Sequence, residues 1–228
     1  MKDCSTKTLV PGAKFFHEAI NPHYDARYYK GKVDREVLHE ILLKLLRDFV
    51  DVCDQLEIKP ILMHGGLIGW HWSRRMLPWD DDLDLCLLYE DMVKLDAAAS
   101  GEDLYDSRFY LLEVNPNYVS RESRNRHFHD QIEPNRIDGR FIHTPTGLFI
   151  DLTALAPSGE GVLSTKCPHH YREEDLFPLH RTEIEGFPIF VPHRVDLVLE
   201  QEYGPRSTRE PSHGRWKFNG LSRSWEPG

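Results

Sequence analysis

The sequence holds no apolar run long enough to cross a bilayer, and its first thirty residues contain no uninterrupted apolar stretch of the kind that directs secretion. As written, the chain reads as soluble. Cysteine is scarce: Cys4, Cys53, Cys86 and Cys167 lie far apart with no C-x-x-C pair. That excludes a compact zinc knuckle and argues against a disulfide framework, leaving buried or free thiols. Positive charge is short as well. A formal net charge of -9 gives no general attraction for nucleic acid or an anionic membrane, and a phosphate-bearing ligand would be repelled unless cations intervene. There is no internal repeat and no low-complexity tract. The 228 residues, 40% hydrophobic and 11% aromatic, suffice to bury one substantial core, so a single domain is expected.

Residues 1–33 read as an arm packed on the body, 34–204 as the domain and 205–228 as a partly ordered tail. From Asp34, a candidate N-cap, Leu38, Leu42, Leu45, Leu46, Phe49, Cys53 and Leu56 recur at helical spacing and predict a long amphipathic helix. Ile61-Leu62-Met63 reads as a short buried strand, broken at Gly65-Gly66 and followed by a brief helix with Leu67, Ile68, Trp70 and Trp72. A helix at 92–99 and a strand at 109–112 come next, then a polar stretch from Asn115 to Arg140, long for a loop, that reads as functional or mobile. A strand over Gly147–Leu152, a hairpin over 182–191 turning at Glu185-Gly186, and a helix at 195–203 ending on Gly204 complete the domain.

The chemistry concentrates at His64-Gly65-Gly66 and Asp80-Asp81-Asp82-Leu83-Asp84. Leu83, Leu85 and Leu87 alternate with Asp82, Asp84 and Cys86, so period 2 aims both aspartates at one sheet face. Carboxylates this close raise each other's pKa values, and a divalent cation shared between them removes the conflict. A glycine turn opening a helix lets backbone amides approach a phosphate, while a D-x-D pair can hold Mg²⁺ or Mn²⁺ on it. Asp151, one acid inside an apolar run, is the candidate third carboxylate, as metal ligand or proton acceptor; its plainer role is an ion pair with an arginine such as Arg140. Arg136 and Arg140 fit a phosphate clamp or ordinary ion pairing equally well. His64 is placed either to touch ligand or to satisfy a carbonyl. His169-His170 beside Cys167 lacks a second ligand cluster and reads as structural, and Trp70 and Trp72 read as core.

At these residues the chain resembles the LicD family of the nucleotidyltransferase-fold superfamily, through Gly65-Gly66-Leu67-Ile68-Gly69 and Pro78-Trp79-Asp80-Asp81-Asp82-Leu83-Asp84. Gly147 to Thr153 looks like the family's third-carboxylate strand, and Asp175 to Leu179, Glu185-Gly186, Val191-Pro192 and Tyr203-Gly204 look like its C-terminal pattern. Lys14 to Ala19, His23 to Arg27 and Asn135 to Arg140 are similar to the fungal branch associated with mannosylphosphate addition. Gly66 stands where the family usually has Ser or Thr, and Trp72 where bacterial relatives have arginine.

The resemblance implies an α/β (α+β) nucleotidyltransferase-like core with a small mixed sheet flanked by helices. It further implies transfer of a substituted phosphate from a nucleotide-activated donor, such as CDP-choline, CDP-ribitol or GDP-mannose, to a hydroxyl of a glycan, lipid or small metabolite. Asp82, Asp84 and Asp151 would be the catalytic and metal-binding residues, with Gly65, Gly66, His64, Arg136 and Arg140 on the donor. A regulatory subunit of another transferase and a strict nucleotidyltransferase are the two rival readings. The fungal relatives point to the secretory pathway, whereas the chain as written has no anchor, so both placements stand.

Overall fold

The leucine spacing after Asp34 does produce a long helix, α1 (Arg35–Gln55), whose buried face runs from Leu38 through Leu42, Leu45, Leu46 and Phe49 to Cys53. Each large side chain so buried contributes about 1.5–3 kcal/mol relative to exposure, which makes this face the main glue between α1 and the sheet behind it. The computed structural model describes residues 15–99, 104–119, 121, 135–166 and 169–228.

Strand β1 (Ile61–Leu62) feeds helix α2 (His64–Ser73). A loop then returns to strand β2 (Asp84–Leu88), helix α3 (Tyr89–Ala98) and strand β3 (Tyr110–Val114). Strands β4 (Gly139–His143), β5 (Phe149–Gly159), β6 (Val162–Ser164) and β7 (His170–Arg172) follow, then the short helix α4 (Glu173–Leu176). Hairpin β8 (His180–Ile184) and β9 (Phe187–Val191) turns at Glu185 and Gly186, both at positive φ, as a two-residue hairpin turn requires. Helix α5 (Val195–Tyr203) ends at Gly204, whose φ is 79°.

The sheet is mixed and nine-stranded, in the order β3-β4-β5-β2-β1-β9-β8 with β6 and β7 branching from β5. It is therefore larger than the small sheet expected. Parallel pairs β2·β5 and β1·β9 sit at its centre; Leu85 and Leu87 of β2 and Ile150, Leu152 and Ala154 of β5 are buried on one face, while Asp84 and Asp151 share the other.

Three expectations need correction. The stretch read as loop up to Arg140 ends in strand β4, whose five residues are all buried, so no polar alternation marked it. Strand β5 runs to Gly159 rather than stopping at Leu152. The segment read as a tail carries helix α6 (Arg206–Arg209) and a three-stranded meander, β10 (Ser212–His213), β11 (Trp216–Asn219) and β12 (Ser224–Pro227). The meander is held to α2 and its following loop by aromatic packing: Trp225 and Phe218 lie against Trp72, and Trp225, Trp216 and His213 against Trp79.

Two residues of 15–33 anchor that segment. Tyr24 is buried and bridges Leu148, and Phe16 is buried beside the sheet.

Candidate active site

Close backbone approach builds the site. A Cβ at Gly69 would lie 2.3 Å from the Arg75 carbonyl oxygen, so only glycine lets the chain fold back along α2 this tightly. The return carries Pro78 to Asp82 past the start of the helix, where a Cβ at Gly65 would meet Asp80 Oδ2 at 2.7 Å. Gly66 is buried and packs α2 on the strands, its absent Cβ falling 2.8 Å from Leu62 Cδ1 and 3.3 Å from Leu83 Cδ1. Gly66 thus serves helix-to-sheet packing, while Gly65 borders the acidic loop.

Strand register does the rest. Asp84 on β2 pairs in parallel register with Asp151 on β5, Asp151 with Arg140 on β4, and Arg140 with Glu113 on β3. Residues level across a sheet share a face, so four charged side chains form one row. Arg140 is buried and donates to Asp151 through Nε at 2.6 Å and Nη2 at 3.3 Å, and to Glu18 Oε1 at 3.2 Å. Its guanidinium also lies 3.7 Å over the Phe149 ring. Arg140 therefore holds Asp151 from within the protein, which corrects its reading as a phosphate clamp: a guanidinium enclosed this way has no path to solution.

Asp84 has no ion-pair partner among the described residues. Burial, then the charges of Asp151 and Asp82, push its carboxyl up to about 8. Asp80 is pushed up to about 7, first by burial and then by Asp82 and Asp81. Asp82 is raised by burial against the opposing charge of His23, and Asp151 by burial against Arg140. Fully ionised, the cluster would carry more negative charge than its surroundings neutralise, which is why these carboxyls hold their protons to higher pH.

Two neighbours come from places the sequence reading did not use. His23, in the arm, sets Nδ1 at 3.4 Å from Asp82 Oδ2 and Nε2 at 3.7 Å from Asp81 Oδ1. Glu202, on α5, takes His64 Nδ1 at 2.9 Å and a hydrogen bond from the Tyr171 hydroxyl at 2.5 Å. His64 thus satisfies a carboxylate rather than a carbonyl. Burial pulls the His64 imidazole down, but hydrogen bonding to Cys86 and Glu202 outweighs this and raises it to about 11. His64 starts α2 at a φ of 53°, an uncommon conformation for a residue with a Cβ.

Arg136 is exposed and stands outside the carboxylate row, on the side of His169. There its charge joins those of His64 and His170 in adding to the downward push of burial on His169, against Glu202. The rings of His64 and His169 lie 5.2 Å apart. Cys167 lies outside the described residues.

Carboxylate oxygens are the donors a hard cation prefers, and one of these acids, Asp84, has no ion-pair partner among the described residues. Among the described residues no three Asp, Glu, His or Cys side chains converge as a ready-made cage. Mg²⁺ is commonly held by one or two carboxylates together with water and substrate phosphate.

Residues 57–194 match the family described as LicD/FKTN/FKRP, nucleotidyltransferase domain. The chain belongs to this family. It is also similar to mannosyltransferase regulator 4 of Saccharomyces cerevisiae, 28% identical over 202 residues that cover 80% of this chain and 17% of the yeast protein. The chain therefore spans 17% of the length of that relative.

The segment matched to the LicD/FKTN/FKRP family holds His64, the aspartates from Asp80 to Asp84, Arg140 and Asp151. Glu18, His23, Glu202 and the aromatic meander lie outside it. The only sequence signals for the arm residues were Lys14 to Ala19 and His23 to Arg27, whose likeness to the fungal branch marked that segment without giving either residue a role.

Proposed function

We propose that this domain is a metal-dependent phosphotransferase that moves a substituted phosphate from a nucleotide-activated donor to an acceptor hydroxyl. The observation that carries this reading is the register of Asp84 with Asp151 on adjacent parallel strands, Asp84 having no ion-pair partner among the described residues and Asp82 beside it. The hydroxyl oxygen attacks the phosphorus that bears the head group, the P–O bond to the nucleoside monophosphate breaks with its electron pair leaving on that phosphate, and the hydroxyl proton passes to the Asp151 carboxylate.

Asp82 and Asp84 would hold Mg²⁺ or Mn²⁺, which when bound supplies charge neutralisation on the donor diphosphate. Asp151, fixed by Arg140, accepts the hydrogen bond of the incoming hydroxyl and sets its direction. His64, kept positive by its partners, offsets the acids at the head of α2. Positioning and charge neutralisation are the main demands of phosphoryl transfer, and these side chains supply both.

The test is release of nucleoside monophosphate from CDP-choline, CDP-ribitol, CDP-glycerol or GDP-mannose with Mg²⁺ or Mn²⁺, native chain against Asp82→Asn. Release from one donor, lost in the variant with the fold intact, is the expected result.

A second reading, a regulatory subunit of another transferase, draws on the name of the yeast relative, a mannosyltransferase regulator, and on Arg140 engaging both Asp151 oxygens. Silence across the donor panel, with stable binding to a partner transferase whose activity ignores Asp84→Asn, would favour it.

A further inference from the structure

A groove of about 660 Å³ lies at the far end of α2 from the acidic loop. Arg74, which closes that end, stands ten residues past His64, so the two ends are about 15 Å apart along the helix. Trp70, His71 and Arg74 form one wall, His180 at the start of β8 another, and residues 193–197, leading into α5, the third. Val191 and Pro192, both buried, make an apolar floor that the half-exposed Leu197 extends.

In a chain of net charge -9 this groove gathers the opposite sign: Arg74, Arg194, His71, His180 and His193 line it against one acid, Asp196. Two of these groups are already matched. Arg194 pairs with Asp175 at 3.1 Å, and His71 Nδ1 lies 3.2 Å from Asp196 Oδ1. Arg74 is different. Its guanidinium lies over the Trp70 ring, 3.3 Å from the centroid, and among the described residues it makes no hydrogen bond and no ion pair. Its backbone is held as the left-handed cap of α2, with the carbonyl accepting from the Glu185 amide at 3.0 Å. Stacking on the indole fixes the plane of the guanidinium and leaves its N–H edge open. Burial and then the charge of Arg223 push Arg74 below its usual value, as expected of a cation with no counter-charge at hand. His180 Nε2 and His193 Nδ1 share a hydrogen bond at 2.9 Å, which locks the two rings together and leaves each with one outer nitrogen.

That set discriminates between ligand classes. A transition metal could take two nitrogens from the histidine pair, but no third Asp, Glu, His or Cys among the described residues converges with them. A carboxylate is already present as Asp196, and one more negative charge would still leave cations unmatched. A phosphate brings two charges and three oxygens, enough to meet a guanidinium fork and an imidazole N–H together.

We propose that this groove binds a phosphate monoester, its phosphate held by Arg74 and the His180–His193 pair and its organic substituent lying on Val191, Pro192 and Leu197. The site contains none of the acids of the carboxylate cluster, so its occupancy is independent of the transfer reading.

Binding is measured without nucleotide donor and in EDTA, at constant ionic strength, by calorimetry and ³¹P NMR line broadening. The probes are phenyl phosphate, inorganic phosphate and benzoate. Phenyl phosphate is expected to bind most tightly and benzoate least. Arg74→Gln should weaken phenyl phosphate about 10-fold, the scale of a charge-assisted contact, and His193→Gln about 3–10-fold. Both side chains are exposed, so either variant is expected to keep the fold, and each checks the other. Arg108→Gln, which removes an exposed arginine paired with Asp106 elsewhere, should bind as the native chain does.

No binding of phenyl phosphate at millimolar concentration would overturn the proposal, as would benzoate binding equally well or indifference to Arg74→Gln or His193→Gln. An equal loss in Arg108→Gln would reduce the effect to general charge and overturn it too. Inorganic phosphate binding as tightly as phenyl phosphate would remove the monoester assignment. Failure of every donor to turn over would remove the transfer reading and leave this site standing.

Discussion

Two places on the same sheet bury carboxylates, and they are built in opposite senses. Asp138 is fully buried with Lys166 Nζ at 2.6 Å from Oδ1, Arg121 at 3.8 Å and the Ala154 amide donating to Oδ2 at 2.8 Å. One acid there meets two cations. Around Asp84, Asp82 and Asp151 three acids meet one enclosed arginine, with His23 and His64 at the edge. A buried charge that serves structure is countered, because an uncountered one is costly. The concentration of acids at Asp84 is therefore the feature that structure alone does not explain, and on the proposed transfer reading a bound cation would relieve it.

The contrast can be broken most sharply from the structural side. Lys166→Met leaves Asp138 with the more distant Arg121, and removing one partner of a buried pair costs about 3–5 kcal/mol. The thermal midpoint should drop by about 2–4 °C for each kcal/mol. Pairing it with Asp138→Leu should recover part of the loss, since apolar replacement of a whole buried pair is often neutral. A single variant as stable as the native chain would mean that Asp138 is not held by Lys166.

The functional side is sharpened by Arg140→Lys. The guanidinium addresses both Asp151 oxygens, and an ammonium cannot reproduce that fork. Loss of a group that orients a catalytic side chain typically costs about 10–100-fold, so monophosphate release should fall by that factor with donor KM little changed. A rise in KM alone would instead place Arg140 at the donor.

How much of this was legible follows from periodicity. The spacing of Leu38 to Cys53 marked α1, and the alternation through Leu83 to Leu87 marked the strand bearing Asp84, because one face of each element is polar enough to leave a pattern. Strand β4 left none, since all its residues are buried, and so the partner of Asp151 was anticipated as an ion pair without its strand. Glu18, His23 and Glu202 reach the site only through tertiary packing, which no local pattern encodes. The meander was misread because its strands of two to four residues are too short for alternation, and their order depends on Trp72 and Trp79, more than a hundred residues earlier.

The pH dependence of stability is the most direct reading of the crowded acids. Burial and neighbouring acids raise the Asp84 carboxyl from the ordinary 3.8 to about 8. The folded chain then keeps a proton that the unfolded chain has already lost, so this contribution to stability is full below about pH 4. It declines as pH rises toward 8, at no more than about 1.4 kcal/mol per pH unit, and is level beyond. Asp80, raised to about 7, acts in the same direction. In EDTA the melting temperature should therefore fall between pH 5 and 8. Asp84→Asn, which carries no charge to lose, should show a shallower fall and a higher midpoint at pH 8. Excess Mg²⁺ should raise the midpoint of the native chain at pH 8 and leave Asp84→Asn nearly unmoved, because a cation binds the ionised carboxylate that the variant lacks. Equal pH slopes for the two proteins would mean that the Asp84 charge is already countered within the fold, and the contrast with Asp138 would disappear.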